Sequence, residues 1–129
     1  MQRMEPISQT VLACAFEVSS RLGTGFLESV YENALCVELQ HQGMNFTQKK
    51  PLKVIYKGNV IGNFVSDIVV ENKLLVELKV VSEFDKAHRA QAINYLKATG
   101  IPVGLLLNFG TPKLGVKRIV YQYTKTEVI

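Results

Sequence analysis

Cysteine is scarce. Cys14 and Cys36 are the only two in 129 residues, and they stand twenty-two positions apart. That spacing excludes the CxxC of a redox or zinc site. Long apolar runs are missing as well. The opening MQRMEPISQT has no apolar core of a secretory leader, and Glu17 closes the short run from Val11 to Phe16. No stretch approaches the ~20 apolar residues of a membrane-spanning helix. There is no repeat, low-complexity tract or linker, and Gly23-Thr24-Gly25 lacks the Gly-Lys-Ser/Thr that would make it a phosphate loop. These absences predict a soluble, cytoplasmic protein with free, buried thiols and no membrane partner.

What is present is apolar. Hydrophobic residues make up 47% of the chain, too many for disorder, and the length suits one domain over residues 1–129. The net charge of +4 is compatible with a polyanionic partner. The lysines around Lys49, Lys50, Lys53 and Lys57 read as a solvated surface.

Periodicity divides the chain. Ile7, Val11, Ala15, Val18 and Leu22 mark one face of a helix over 6–22, and Pro6 suits its first turn. A second helix is predicted from Phe26 to Gln42, with Leu27, Val30, Tyr31, Ala34, Leu35 and Glu38 on one side and Gly43 at its end. From Phe46 the period becomes two. Strands are predicted over 51–56, 60–70 and 74–81, then a helix over 83–98, a strand over 103–107 and a last strand over 117–123. The order α-α-β-β-β-α-β-β predicts an α/β domain, a mixed sheet with an antiparallel meander and one crossover, flanked by helices.

Ser66 to Val80 reads SDIVVENKLLVELKV. Its composition is that of sheet buried on both faces, yet Asp67, Glu77 and Lys79 interrupt it. With Glu71-Asn72-Lys73 as a three-residue loop, Val70 pairs with Leu74, Ile68 with Val76, and Asp67 with Glu77. Opposed residues share a face, and Lys79, two beyond Glu77, shares it too. A two-residue loop would flip one strand relative to the other; the longer loop is preferred because it groups the charges. Two opposed carboxylates repel, and a divalent cation relieves them. Otherwise Lys79 bridges both acids as a structural ion pair.

An acid ten residues before E-x-K resembles the site of the PD-(D/E)XK nuclease superfamily. Ser66-Asp67 stands where that motif has P-D, without the proline, and Glu77-Leu78-Lys79 matches E-x-K. Gln91-x-x-x-Tyr95 in HRAQAINYLKATG resembles the Q-x-x-x-Y helix of the RecB-like and lambda-exonuclease-like branch. Gly25-x-x-Glu28-x-x-Tyr31 in GFLESVYE is similar to the signature of the GxxExxY proteins.

The resemblance implies a restriction-endonuclease-like fold and metal-dependent hydrolysis of nucleic acid, DNA in preference to RNA. It implies Mg²⁺ or Mn²⁺ held by Asp67, Glu77 and the Leu78 carbonyl, with Glu28 reaching in through water or at a second metal position. Lys79 would orient water or stabilise developing charge, and Gln91, Tyr95 and Tyr31 would support the site or touch the phosphate backbone. A homo-oligomer is allowed. Each residue also has a plain role. Glu28 could fold back on a helix cap at Gly25, Tyr31 and Tyr95 could be core aromatics, Gln91 a solvated residue, and His88 a surface imidazole rather than a ligand. The rival functions are a catalytically silent nucleic-acid-binding or protein-interaction module, and a structural subunit.

Overall fold

The computed structural model describes residues 4–121. Eight elements follow in the expected order: α1 (Met4–Leu22), α2 (Glu28–His41), β1 (Phe46–Tyr56), β2 (Asn59–Val70), β3 (Leu74–Lys79), α3 (Lys86–Thr99), β4 (Val103–Asn108) and β5 (Gly115–Val120). The end of the last predicted strand, beyond residue 121, lies outside the described residues. The five strands form one sheet in sequence order. β1, β2 and β3 are antiparallel neighbours, β3 and β4 are parallel, and β4 and β5 are antiparallel.

Side-chain alternation assigns the two faces. Ile68, Val70, Leu74, Val76, Leu78, Leu105 and Leu107 pack with Ile7, Val11, Ala15 and Val18 of α1 and with Tyr31, Leu35 and Leu39 of α2. Val69, Leu75, Leu106 and Ile119 meet Ala92 and Leu96 of α3. β3 and β4 therefore lie under helices on both sides, which explains their unbroken apolar sequence. The α1 face is the predicted one. On α2, Leu27 and Val30 are exposed, contrary to expectation, because the helix begins at Glu28 and Leu27 is only its extended N-cap residue. Cys14 and Cys36 are free and buried. Burial, with the Glu32 charge in second place, pushes the Cys36 thiol up to about 11, so its thiolate is not populated at neutral pH.

β3 ends at Lys79, short of the predicted Val81, because a side chain takes over the backbone. Asn108 Oδ1 accepts from the amides of Val81 (3.0 Å) and Gly110 (2.9 Å), and its Nδ2 donates to the Val81 carbonyl (2.9 Å). A Cβ at Gly110 would lie 2.4 Å from that carbonyl oxygen, so only glycine fits. α3 starts at Lys86 rather than 83 because Asp85 caps it: Asp85 Oδ1 accepts from the His88 amide, and His88 Nδ1 accepts from the Asp85 amide. This reciprocal cap accounts for His88.

Candidate active site

The β2–β3 loop places the acids. Glu71 and Asn72 both take left-handed backbone (φ 53° and 55°), and the Lys73 amide donates to the Val70 carbonyl at 3.0 Å. The ladder then runs Val70–Leu74, Val69–Leu75 and Ile68–Val76, the register of the three-residue loop. One step further Asp67 and Glu77 meet, and there side chains replace the ladder. The Asp67 amide donates to Glu77 Oε1 (3.3 Å), and the Leu78 amide donates to Asp67 Oδ2 (2.9 Å). Both residues are buried, 8% and 5% exposed. Alternation puts Glu77 and Lys79 on the face of Leu75, toward α3.

Two carboxylates in so little water cannot both ionise easily. Burial first, and the Asp67 charge second, push the Glu77 carboxyl up to about 8. Glu28, the first residue of α2, is also raised, by burial and then by Asp67, with Lys79 and Lys49 opposing. It therefore lies within electrostatic reach of Asp67. Its position in the first turn rules out the predicted alternative of a Glu folded back on a cap at Gly25, since the capping residue is Leu27 and no side chain caps the helix.

Lys79 Nζ donates to Gln91 Oε1 at 3.2 Å. Tyr95, one turn beyond Gln91, stacks on Phe64 of β2 with ring centroids 4.0 Å apart. Its hydroxyl is raised by burial and then by the Glu77 and Asp67 charges, while a hydrogen bond with Gln91 works the other way. Lys79, Gln91 and Tyr95 thus form one connected rim beside the acids. Tyr31 lies elsewhere. It is fully buried, stacks on Phe109 at 4.8 Å, donates its hydroxyl proton to the Gly23 carbonyl (2.6 Å) and accepts from the Phe26 amide (3.3 Å). It pins the bend from which Glu28 emerges.

Among the described residues no ion pair joins Lys79 to either acid, so the sequence-level alternative of Lys79 bridging both is replaced. Lys49 meets one of them, Asp67, and joins it to Glu32. Its Nζ lies 3.3 Å from Asp67 Oδ1 and 2.9 Å from Glu32 Oε1. Glu32 is 2% exposed and also accepts from Gln48 Nε2 at 2.7 Å. Lys49 itself has left-handed backbone (φ 55°) and interrupts the β1–β2 ladder, which passes from Gln48–Ile68 to Lys50–Ser66.

Glu32 was not singled out in the sequence, and Lys49 was read there only as part of a solvated surface. Glu32 was open to detection, being four residues after Glu28 and so on the same helix face. Lys49 was not. Counted back from the Tyr56–Asn59 pair at the Lys57-Gly58 turn, Asp67 would oppose Gln48. An irregularity between Val54 and Ile55 shifts the register by one and brings Lys49 opposite instead.

Asp67 and Glu77 offer hard carboxylate oxygens, the kind of donor that Mg²⁺ or Mn²⁺ takes. The raised carboxyl of Glu77 is what a cation at this position would relieve. Among the described residues no cluster of three or more His, Cys, Asp or Glu side chains is gathered for a metal. Asp67 already spends its oxygens on the Leu78 amide and the Lys49 ammonium.

A family model described as the PD-(D/E)XK nuclease superfamily matches residues 5–119. The chain belongs to this superfamily. Its five-stranded mixed sheet flanked by helices is the restriction-endonuclease-like fold of these nucleases. Among solved structures, the crystal structure of SSO0001 superposes with a TM-score of 0.56 at 13% identity, over 78% of this chain and 52% of that one. At that identity the likeness is one of fold, and this chain spans about half the length of that protein. No curated protein matches. No helix of the described residues is long and apolar enough to cross a membrane.

Proposed function

We propose that this chain is a divalent-metal-dependent nuclease that hydrolyses phosphodiester bonds, acting as one domain over residues 1–129. The observation that carries the reading is the buried Asp67–Glu77 pair, tied together through backbone amides, with Lys79 on the same face. A fold would not retain that repulsion for packing alone. Asp67, Glu77 and the Leu78 carbonyl would hold Mg²⁺ or Mn²⁺, the kind of ion superfamily members usually use. Glu28 would act through water or at a second position. When bound, the ion supplies an acidified water and neutralises charge on the phosphate.

This chain's own residues do the rest. Lys79 points its ammonium at the developing charge, Gln91 holds Lys79 in place, and Tyr95 closes the rim against Phe64. Tyr31 acts at a distance by fixing the entry of α2. The Gly25-x-x-Glu28-x-x-Tyr31 and Gln91-x-x-x-Tyr95 motifs support kinship with the GxxExxY proteins and the Q-x-x-x-Y branch.

The partner in this reading is nucleic acid, DNA before RNA. The stretch from residue 46 to 66 supports it, with four lysines and no acidic residue, of which Lys49, Lys53 and Lys57 are exposed. A cytoplasmic location and homo-oligomerisation complete the reading. The alternative, a silent nucleic-acid-binding or protein-interaction module, draws on the Lys49 ammonium already set against Asp67.

A cleavage assay on single- and double-stranded DNA and RNA decides, run with Mg²⁺, with Mn²⁺ and with chelator. Lys79→Ala should lower turnover by ~10²-fold or more while leaving Mn²⁺ binding within a few-fold. Equal rates for wild type and Lys79→Ala would dismiss the assignment.

A further inference from the structure

Glu32 and Lys49 are an expensive pair to have built. A carboxylate 2% exposed costs free energy unless a cation meets it, and the cation comes from a lysine whose backbone is forced into the left-handed region. An apolar pair would serve packing as well or better. The same ammonium touches Asp67, whose other oxygen is held by the Leu78 amide. Asp67 is therefore a proposed metal ligand that already carries a cation.

We infer that Lys49 is a built-in counter-ion that occupies the metal's side of Asp67 and must be displaced onto Glu32 before a divalent ion can bind. The inference rests on the nuclease reading's assignment of Asp67 to the metal. Three facts support it. Lys49 Nζ is nearer Glu32 than Asp67, 2.9 Å against 3.3 Å, so its second anchor is already engaged. Its side chain is 57% exposed, free to swing without unpacking the core. Glu32 keeps a further donor in Gln48, so it stays fixed as the receiving end. Lys49 is here a positioning residue: it keeps the empty site neutral enough to fold, and its departure sets the affinity for metal.

The two halves of the device predict opposite signs. Removing the ammonium removes a like charge beside the incoming ion, and Lys49→Met should tighten Mn²⁺ binding by about tenfold or more. Removing the receiving carboxylate leaves Lys49 with Asp67 alone, and Glu32→Gln should loosen Mn²⁺ binding by a similar factor. Lys50→Met deletes the same charge one residue away and should shift it less than about twofold.

Titration calorimetry with Mn²⁺ on the full chain reads all three without any turnover. Lys49→Gln, which keeps a hydrogen bond to Glu32, repeats the test should Lys49→Met fail to fold. Unchanged or weaker binding in the Lys49 variants, with wild type binding normally, overturns the counter-ion role and leaves the metal reading standing. Binding by Lys49→Met but not wild type supports it in extreme form. No binding by either protein overturns the metal assignment and this inference with it.

Discussion

The β3–β4 pair and the distal half of the β1–β2 hairpin are both paired sheet, and they differ in almost everything else. β3 and β4 lie under helices on both faces, and every residue of β4 is buried. At the far end of the hairpin Ile55, Tyr56, Val60 and Ile61 are all exposed, and lysines recur along β1. Asp67 and Glu77 lie at the seam, where the buried ladder ends. Water is scarce enough there to raise a carboxyl to about 8, yet Lys49 and Gln91 remain open to solvent. A hydrolytic site needs both conditions, a low dielectric around its charges and a path for a phosphate.

The contrast breaks most visibly at its buried end. Leu105, 2% exposed in the middle of β4, belongs to the core shared with α1 and α2. Leu105→Ala should cost ~2–5 kcal/mol, read as a lower urea midpoint with an unchanged slope. A loss under ~1 kcal/mol would mean that the centre of the sheet is no more tightly packed than the arm.

The seam responds to pH. The Glu77 carboxyl titrates at about 8 in the folded chain, against a reference value of 4.5. Between those values the folded state holds a proton that the unfolded state has lost, so metal-free stability falls as pH rises through that window and levels off above it. Glu77→Gln cannot titrate. Its unfolding midpoint should stay flat where wild type declines, and should exceed wild type by about pH 8.5. Saturating Mn²⁺ should remove the wild-type decline, because it binds the ionised pair. A wild type as flat as Glu77→Gln would show that the two acids do not share a buried environment.

How much of this was legible follows the same division. The buried ladder could be read from residues because burial on both faces leaves an apolar run, and the three interrupting charges then declared themselves. The register followed once one loop length was chosen, although the left-handed backbone of Glu71 was not foreseen. The Asn108 clamp on Val81 escaped notice because a polar residue ending a strand looks like the start of a turn. Lys49 escaped because it depends on a one-residue irregularity some way along the hairpin, and no local pattern marks where such a shift falls. Tyr31 has the spacing of a site residue, but Gly23 and Phe26 take up its hydroxyl.

The exposed end of the comparison gives the smallest effect. Ile61 is 62% exposed on β2, in the arm's outer half, so it buries little apolar surface in the folded chain. Ile61→Thr keeps the β-branched shape that suits a strand and should change stability by less than ~0.5 kcal/mol. If the arm is a free surface, as the lysine pattern suggests, the variant should also leave Mn²⁺ affinity unchanged and should lower the tendency of the protein to self-associate at high concentration, since exposed apolar strand residues are the usual route to edge contacts. Sedimentation and urea unfolding of the same sample test both. A loss above ~1 kcal/mol would mean that Ile61 is covered in solution, and a second copy of the chain would then be the first candidate for its cover; a dilution-dependent midpoint in wild type that is absent in Ile61→Thr would identify it.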